Sequence, residues 1–320
     1  MKNIFTFIEF KNSIFFEVFE PKNIRLNPIP FIFGLIVLTT LMAGCEWIDP
    51  PQKIPAYIQV DSFQFQTDTA TGFNTQKISE VWIFVNGEQI GVYPVPSQPI
   101  PALFEGNSKI SILPGVYADG IVSNKVYYPF YQNFEETRVL EKGKVSKVYP
   151  KFKYANALRK PFIYYMDFEQ NSTNIGKGKN GNVTLEYKFH PPGESKTAFG
   201  NRYGLLSTTS AADIIEFTNE EWVQLNKEGR PVYLEFDYKS TCQFQVGLYG
   251  AKLNEVPLTS YDLVLNPRET WTKIYVNLTD EVGDFRDKNG IKYRFFLRTF
   301  PEPGAGNSLS IDNVRLINFP

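Results

Sequence analysis

Short runs of β-branched and aromatic residues recur along most of this chain and restrict the folds that it can adopt. Two of them are residues 57–65 and 231–238, in which apolar and polar side chains alternate. Alternation with a period of two places one side of a strand against a core and the other toward solvent. Clusters of Gly, Pro, Asn and Asp separate the runs, as turns separate strands. The pattern predicts an all-β protein.

The spacing of these runs predicts two β-sandwich domains, residues 56–154 and 162–320. Residues 155–161 form a short polar and basic linker that ends in Pro161. Within the first domain, Asn86-Gly87 lies between two apolar runs and predicts a two-residue hairpin turn, because both positions accept a positive φ. Residues 138–148, with Lys142-Gly143 in the middle, predict a second hairpin.

An apolar run at residues 31–42 follows Lys2, Lys11, Lys22 and Arg25 and is followed by small residues. A basic start, a short apolar segment and small residues before a cut indicate a secretory signal peptide, residues 1–44. The run is short for a membrane-spanning helix. Met42-Ala43-Gly44-Cys45 resembles the lipobox of bacterial lipoproteins. The resemblance implies cleavage before Cys45, a diacylglycerol on its thiol and an acyl chain on the new amino group.

A lipidated Cys45 implies a protein held at the outer membrane, on its periplasmic or its cell-surface face. Several acyl chains on one residue anchor a protein far better than one chain. Residues 45–55 would form the tether, which Pro50, Pro51 and Pro55 stiffen. Glu46 and Asp49 loosely resemble the export signal of surface-exposed lipoproteins in polysaccharide-degrading Gram-negative bacteria. A purely polar tether, or a secreted protein with an unmodified cysteine, is the alternative.

Charge and cysteine content exclude some classes of protein. The chain has 33 Lys and Arg, 34 Asp and Glu, and a formal net charge of −1, so it lacks the basic footprint that nucleic-acid binding requires. With Cys45 lipidated, Cys242 is left without a disulfide partner. Residues 238–244 read as a strand, so Cys242 is predicted to be a buried, unreactive thiol.

The first domain carries Val85-Asn86-Gly87 and Ile90-Gly91, followed by a strand and Pro114-Gly115. This pattern resembles the immunoglobulin-like, prealbumin-like or PEGA-like sandwiches of envelope proteins, and implies a spacer or docking unit. Residues 127–131, Tyr-Tyr-Pro-Phe-Tyr, are a dense aromatic cluster. They form either an exposed platform for a sugar or partner, or the packed end of a sandwich, and packing is the favoured interpretation.

The second domain opens with Asp167-Phe168-Glu169, contains the strand at 271–278 and closes with Ile311-Asp312-Asn313-Val314. These segments resemble the jelly-roll carbohydrate-binding modules and their galactose-binding-like relatives. The resemblance implies a jelly roll and a structural calcium between the first and last strands, with Glu169 and Asp312 as carboxylate ligands. Alternatively, Asp312 caps a turn or pairs with Arg315 or a lysine.

A sugar site in such a fold needs aromatic faces for stacking and a few polar groups that fix hydroxyls. Trp222 lies in a long segment between strands and is the best stacking candidate. Its alternative role is a core plug beneath a short helix, and Trp271, at the start of a strong strand, is assigned to the core. The other predicted ligand-binding residues are Asn201, Arg202, Tyr203 and Tyr249.

Catalytic motifs are weak in this sequence. His190 is the only histidine, and no Gly-x-Ser-x-Gly elbow surrounds a serine. The sequence therefore predicts a lipid-anchored, non-catalytic protein whose partners are the membrane and a glycan. Two alternatives stay open: a structural or assembly lipoprotein that docks to other envelope proteins, and a glycoside hydrolase or lyase that uses a pair of carboxylates.

Overall fold

In a computed structural model of the protein, the chain separates into two units, residues 1–53 and 54–320. The structure describes residues 29, 32–34, 52–67, 72–155, 162–171, 175–178, 181–194, 199–210, 212–226, 229–252, 254–285, 290–300 and 306–319. Cys45 and most of the predicted signal peptide and linker lie outside these residues, so the domain limits stay predictions. Within the described part of the chain, no helix is long and apolar enough to cross a membrane.

The described part of the first sandwich has ten strands. They are β1 (Ala56–Gln59), β2 (Gln64–Gln66), β3 (Glu80–Val85), β4 (Glu88–Pro94), β5 (Ile100–Ala102), β6 (Gly106–Tyr117), β7 (Lys125–Tyr127), β8 (Phe134–Leu140), β9 (Val145–Lys147) and β10 (Lys151–Lys153). One sheet has the order β4-β3-β6-β7, with β8 also paired to β6. The opposite layer consists of β5-β1-β9 and β10-β2.

The predicted Asn86-Gly87 hairpin is confirmed, because both residues have positive φ and join β3 to β4. The predicted hairpin at 138–148 is wrong. Strand β8 pairs with β6, and β9 crosses to the other layer and pairs in parallel with β1. The turn around Gly143 therefore carries the chain from one sheet to the other.

The described part of the second sandwich has eleven strands and, after the ninth of them, a short helix. The strands are β11 (Phe162–Met166), β12 (Ile175–Lys177), β13 (Glu186–Phe189), β14 (Arg202–Thr208), β15 (Glu216–Asn219), β16 (Val232–Ser240), β17 (Phe244–Ala251), β18 (Leu258–Leu265), β19 (Arg268–Asn277), β20 (Lys292–Thr299) and β21 (Asn307–Asn318), and the helix is α1 (Thr279–Asp284). A six-stranded sheet has the order β13-β14-β21-β16-β19, with β11 also paired to β21. A five-stranded sheet has the order β12-β15-β20-β17-β18. The predicted all-β class with two sandwiches is confirmed.

The core of the second sandwich lies between the inner sides of its two sheets. Leu234 and Phe236 of β16 face Val246 of β17 and Phe295 of β20 in one buried cluster. Their neighbours along each strand point to the outer sides, as the period of a strand requires. Cys242 is buried as predicted.

A second buried cluster spans both sandwiches. It combines the core of the first sandwich with Tyr233, Tyr275 and Ile317, which lie on the outer side of the six-stranded sheet. Tyr128, Phe130 and Tyr131 of the predicted aromatic cluster are buried here, whereas Tyr127 is exposed. Packing is therefore the correct interpretation of that cluster, and the surface that it packs on belongs to the other sandwich.

Charged groups are buried in the same seam. Glu235 accepts hydrogen bonds from the hydroxyls of Tyr128 at 2.5 Å and Tyr154 at 2.7 Å. The ammonium of Lys273 lies 3.2 Å from Glu235 and donates to the hydroxyl of Thr75. A buried charge without partners is very costly, so these contacts are what allow Glu235 and Lys273 to lie in the interior.

Candidate functional site

The outer side of the five-stranded sheet carries a group of aromatic and arginine side chains. Within β20, Tyr293, Phe295 and Leu297 face the core, so the alternate residues face outward. Strand pairing places Tyr249 opposite Arg294, and Glu216 opposite Arg298. The resulting surface is called the aromatic–arginine face and consists of Glu216, Trp222, Tyr249, Arg294, Phe296 and Arg298.

Flat groups stack on one another across this face. The rings of Tyr249 and Phe296 lie 4.6 Å apart, and the guanidinium of Arg298 lies 4.8 Å from the Phe296 ring. Arg294 lies 4.7 Å over the indole of Trp222. Trp222 and both arginines are partly exposed, whereas Tyr249 and Phe296 are buried. The face therefore presents an indole and two guanidinium groups on an aromatic base.

A glycine makes this stacking possible. Gly247 of β17 lies opposite Phe296 in the strand register. A methyl group on Gly247 would approach Phe296 Cζ to 2.6 Å and the carbonyl oxygen of Ser260 to 2.4 Å. The absence of a side chain at this position lets the Phe296 ring lie against the backbone of β17.

Hydrogen bonds fix the polar groups at one end of the face. Glu216 is buried and accepts from the Tyr249 hydroxyl at 2.7 Å and from Arg298 Nε at 2.6 Å. Arg298 Nη2 also donates to the Tyr249 oxygen. Burial and the Glu216 carboxylate raise the pKa of Tyr249, so its hydroxyl is protonated at neutral pH. These contacts hold Arg298 and Tyr249 in fixed orientations.

The other end of the face has a polar atom that lacks a partner. Arg294 Nε is buried and makes no hydrogen bond within the described part of the chain. Burial lowers the pKa of Arg294, while the charge of Glu220 acts in the opposite direction. A buried N–H group without an acceptor is costly, so the polar groups at this end of the face are less well satisfied than those around Arg298.

The structure divides the residues predicted to bind a sugar between the two sheets. Trp222 and Tyr249 lie together on the aromatic–arginine face, and Trp222 is not a core plug, because it is partly exposed beside the bridge between Val223 and Tyr293. Arg202 and Tyr203 belong to β14 of the six-stranded sheet, and Asn201 immediately precedes that strand. Asn201 and Arg202 are engaged with Glu169 rather than with Trp222.

Tyr203 belongs to a different aromatic cluster around the only histidine. The His190 ring lies 4.9 Å from Tyr203 and 5.3 Å from Trp271. The Trp271 indole N–H donates to Glu194 at 3.1 Å. Trp271 was assigned to the core from the sequence, but it is partly exposed in this cluster on the outer side of the six-stranded sheet.

The two predicted calcium ligands both have protein partners. Glu169 accepts from the backbone N–H groups of Asn201 at 2.7 Å and Arg202 at 2.9 Å. Asp312 is 3.1 Å from His190 Nε2, which is not among the partners expected from the sequence. Within the described residues, no group of three or more His, Cys, Asp or Glu side chains is arranged to hold a metal ion. The calcium site stays a prediction.

Sequence reasoning missed Glu216, Arg294, Phe296 and Arg298. The signal that could have found three of them is the alternation in residues 293–298, where aromatic or aliphatic residues alternate with Arg294, Phe296 and Arg298. A phenylalanine ring gains no stabilisation on a side of a strand that faces only solvent. The row of Arg294, Phe296 and Arg298 on one side of β20 is therefore unusual, and this is the signal in the sequence.

No family model matches the sequence, and no curated protein matches it. Among solved structures, the chain is similar to a family 11 carbohydrate-binding module from Clostridium thermocellum in complex with a β-1,3-1,4-mixed-linked tetrasaccharide, at 14% identity over 48% of this chain and 94% of that chain, with a TM-score of 0.32. A carbohydrate-binding module of the β-sandwich superfamily, described for promiscuous specificity, is 11% identical over 75% of this chain and 85% of that chain, with a TM-score of 0.38.

An exo-β-agarase is also similar, at 19% identity over 48% of this chain and 25% of that chain, with a TM-score of 0.33. Binding modules and an enzyme thus occur among the similar structures. At these identities and TM-scores they define neither a family nor a ligand for this chain.

Proposed function

We propose that the protein binds a glycan without cleaving it, and that the aromatic–arginine face receives the sugar. The observation that carries this proposal is the placement of Trp222, Arg294, Tyr249 and Arg298 on one outer side of a rigid sheet. Sugars present C–H groups that pack on flat rings, and hydroxyls that hydrogen-bond to fixed polar groups. The face supplies both kinds of contact side by side.

The polar groups are suited to neutral hydroxyl oxygens. The partly exposed guanidinium of Arg294 can donate to a sugar hydroxyl or ring oxygen, which introduces no buried charge. Arg298 and Tyr249 are held by Glu216 before any ligand arrives, so little ordering is required on binding. Preorganised groups of this kind favour affinity for a sugar ring stacked on Trp222.

The chemistry of the face favours binding over hydrolysis. A glycosidase needs two carboxyl groups on opposite sides of the scissile bond, one of which must give up a proton. Both Glu216 oxygens accept hydrogen bonds from Arg298 and Tyr249, so the carboxylate is used to orient its neighbours. His190 lies on the other sheet, between Glu194 and Asp312.

We also propose that the protein acts at the outer membrane, held by acyl chains on Cys45. The support is the basic start, the apolar run and the Met42-Ala43-Gly44-Cys45 sequence. The prolines between Cys45 and β1 would separate the sandwiches from the membrane. Metabolic labelling with a palmitate analogue tests this, and the label must disappear in a Cys45→Ser variant.

Glycan-array and affinity-gel measurements on the purified protein test the glycan proposal. Trp222→Ala removes the stacking surface and is expected to weaken binding at least about tenfold, the equivalent of about 1.4 kcal/mol. Trp82→Ala is the matched control, because Trp82 is a partly exposed tryptophan of the first sandwich that packs against Tyr127. The control is expected to bind like the unmodified protein.

The outcomes separate the proposal from its alternatives. Folded protein that binds no glycan would overturn it and favour the assembly role, for which co-purification with envelope proteins is the measurement. Equal losses in both tryptophan variants would mean that the sugar binds elsewhere. Release of sugar from any polysaccharide would establish a hydrolase or lyase instead.

A further inference from the structure

A pocket of about 260 Å³ lies at one side of the second sandwich, between the edge strands β18 and β19. The first sandwich closes it with Lys77 and with residues 119–121. The backbone N–H of Asp119 donates to the carbonyl of Tyr275 at 2.9 Å, which fixes this loop against β19. No residue of the aromatic–arginine face lines the pocket.

Two solvent-exposed cationic side chains, Lys77 and Arg268, line the open side of the pocket and have no carboxylate partner among the described residues. Lys77 Nζ donates to the hydroxyl of Thr272 at 3.0 Å, and Arg268 hydrogen-bonds to the side chain of Tyr238. Burial and the positive charge of Arg268 lower the pKa of Lys77, so the two cations are close enough to repel each other. By contrast, Lys273 in the same wall is neutralised by Glu235 and Asp237.

The carboxylate in the pocket wall is already hydrogen-bonded. Asp119 Oδ1 accepts from the backbone N–H of Asn277 at 2.8 Å, and Oδ2 accepts from Asn124 at 3.4 Å. Burial raises the pKa of Asp119, while the hydrogen bonds from Asn277 and Asn124 act in the opposite direction. The pocket is thus polarised, with cations around Lys77 and Arg268 and an acceptor at Asp119.

We propose that this pocket binds a small oxyanion, a carboxylate or sulfate group, between Lys77 and Arg268. An anion there relieves the repulsion of the two cations and accepts charge-assisted hydrogen bonds from both. The volume of the pocket far exceeds the roughly 30 Å³ of one water molecule and approaches that of ligand pockets. The pocket therefore has room for the anion together with the molecule that bears it, called the carrier, if the carrier is of monosaccharide size. Hydroxyls on such a carrier can donate to Asp119. The inference does not depend on glycan binding by the aromatic–arginine face.

Calorimetric titration of the full chain with sodium sulfate, sodium glucuronate and glucose tests the proposal. Sodium chloride keeps the ionic strength constant, so that general screening does not contribute. Sulfate and glucuronate are expected to bind, and glucose is not. Lys77→Gln and Arg268→Gln are each expected to raise the Kd about tenfold or more, because each removes a charged donor.

Lys151→Gln is the matched control, since Lys151 is an exposed lysine of β10 outside the pocket. Arg268→Lys, which retains the charge, is expected to recover part of the affinity and guards against a loss caused by misfolding. Tighter binding of glucuronate than of sulfate identifies an acidic sugar as the carrier, and equal binding identifies the oxyanion alone. The proposal is overturned if neither anion binds, or if the Lys77 and Arg268 variants bind as the Lys151 control does.

Discussion

His190 is held between two carboxylates. Nε2 lies 3.1 Å from Asp312, and Nδ1 contacts Glu194. Burial lowers the pKa of His190, but the hydrogen bonds and charges of Asp312 and Glu194 outweigh burial, so the pKa is raised. Burial also raises the pKa of Asp312 to about 8, and the charge of Asp237 adds to this. The coupled pair His190 and Asp312 therefore retains a proton in the folded protein at pH values where the unfolded chain has lost it.

These shifts predict a stability that falls with rising pH. A raised pKa in the folded state favours folding at low pH, and the benefit is lost as the pH passes the folded value. We expect the free energy of unfolding to fall by about 1 kcal/mol or more as the pH rises toward 8, since one pKa unit equals about 1.4 kcal/mol. Urea denaturation at several pH values measures this.

Asp312→Asn is expected to reduce that pH dependence, because it removes one titrating group and also the charge that raises the pKa of His190. Tyr203→Phe is the matched control, since it keeps an aromatic ring beside residue 190 and changes no group that titrates below pH 9. A slope that is identical in the two variants would show that other groups govern the pH dependence.

The rate at which the Cys242 thiol reacts provides a second test at the scale of a single residue. Its side chain is buried, and the sulfur lies 3.7 Å from the Ser240 hydroxyl. In a Cys45→Ser variant, which leaves one thiol, we expect a thiol reagent to label Cys242 only as fast as the protein unfolds. Immediate labelling in guanidinium chloride is the control. Rapid labelling under native conditions would mean that β16 and β17 open locally.

Individual residues of the candidate site were partly predictable from the sequence. The sequence predicts Trp222 as the stacking residue and Tyr249 as a possible neighbour, and the structure places both on the aromatic–arginine face. Tyr203 is also predicted as a neighbour of Trp222 but lies beside His190. Ring chemistry identifies a stacking residue, whereas its neighbours depend on which strands pair, and a single sequence does not encode that locally.

At the scale of elements, the close packing of the Phe296 ring against the backbone of β17 depends on Gly247. We expect Gly247→Ala to destabilise the protein by about 1–3 kcal/mol, because the added methyl group overlaps Phe296 and the Ser260 carbonyl. The same variant should displace Phe296 and weaken glycan binding. Chemical denaturation measures the first effect, and affinity gels measure the second.

Gly306→Ala is the control for that substitution. Its added carbon would meet only the carbonyl oxygen of Thr208, at 3.8 Å. A stability close to that of the unmodified protein is expected. If Gly247→Ala were equally harmless, the stacking on β17 would not depend on close approach of the Phe296 ring.

Turns were predictable to different degrees. Asn86-Gly87 specifies a tight reversal, and β3 and β4 pair across it. Lys142-Gly143 also marks a reversal, yet the strands on either side join different layers. The backbone twist of a two-residue type I′ or II′ turn makes the two strands on either side of it pair with each other. After a longer turn, tertiary packing decides which strand each of them pairs with.

At the scale of the whole molecule, the seam joins the two sandwiches through buried polar contacts. Because Glu235 depends on hydroxyls of the first sandwich, we expect one cooperative unfolding transition for both. Fluorescence of Trp82 reports on one sandwich and that of Trp271 on the other. Separate transitions in single-tryptophan variants would contradict the expectation.

Tyr128→Phe tests the seam itself. It removes one hydrogen bond from the buried carboxylate of Glu235, and we expect a loss of about 1–3 kcal/mol in the free energy of unfolding. Tyr127→Phe changes the exposed neighbour and should have little effect. Equal stability of the two variants would show that Glu235 finds another donor.

The seam was not predictable from the sequence. Glu235, Asp237 and Lys273 alternate with core residues, which is also the pattern of a solvent-facing side. Burial of these charges requires the tyrosines of a distant segment, and nothing local to β16 or β19 indicates them. The division into two sandwiches followed from the strand pattern, but the surface between them did not.

The parallel pairing of β1 with β9, and of β2 with β10, affects how the protein responds to mechanical force. A chain anchored before β1 and loaded through the second sandwich would pull β1 and β10 in opposite directions along their length. The hydrogen bonds between parallel neighbours then carry the load together, in shear, instead of breaking one after another.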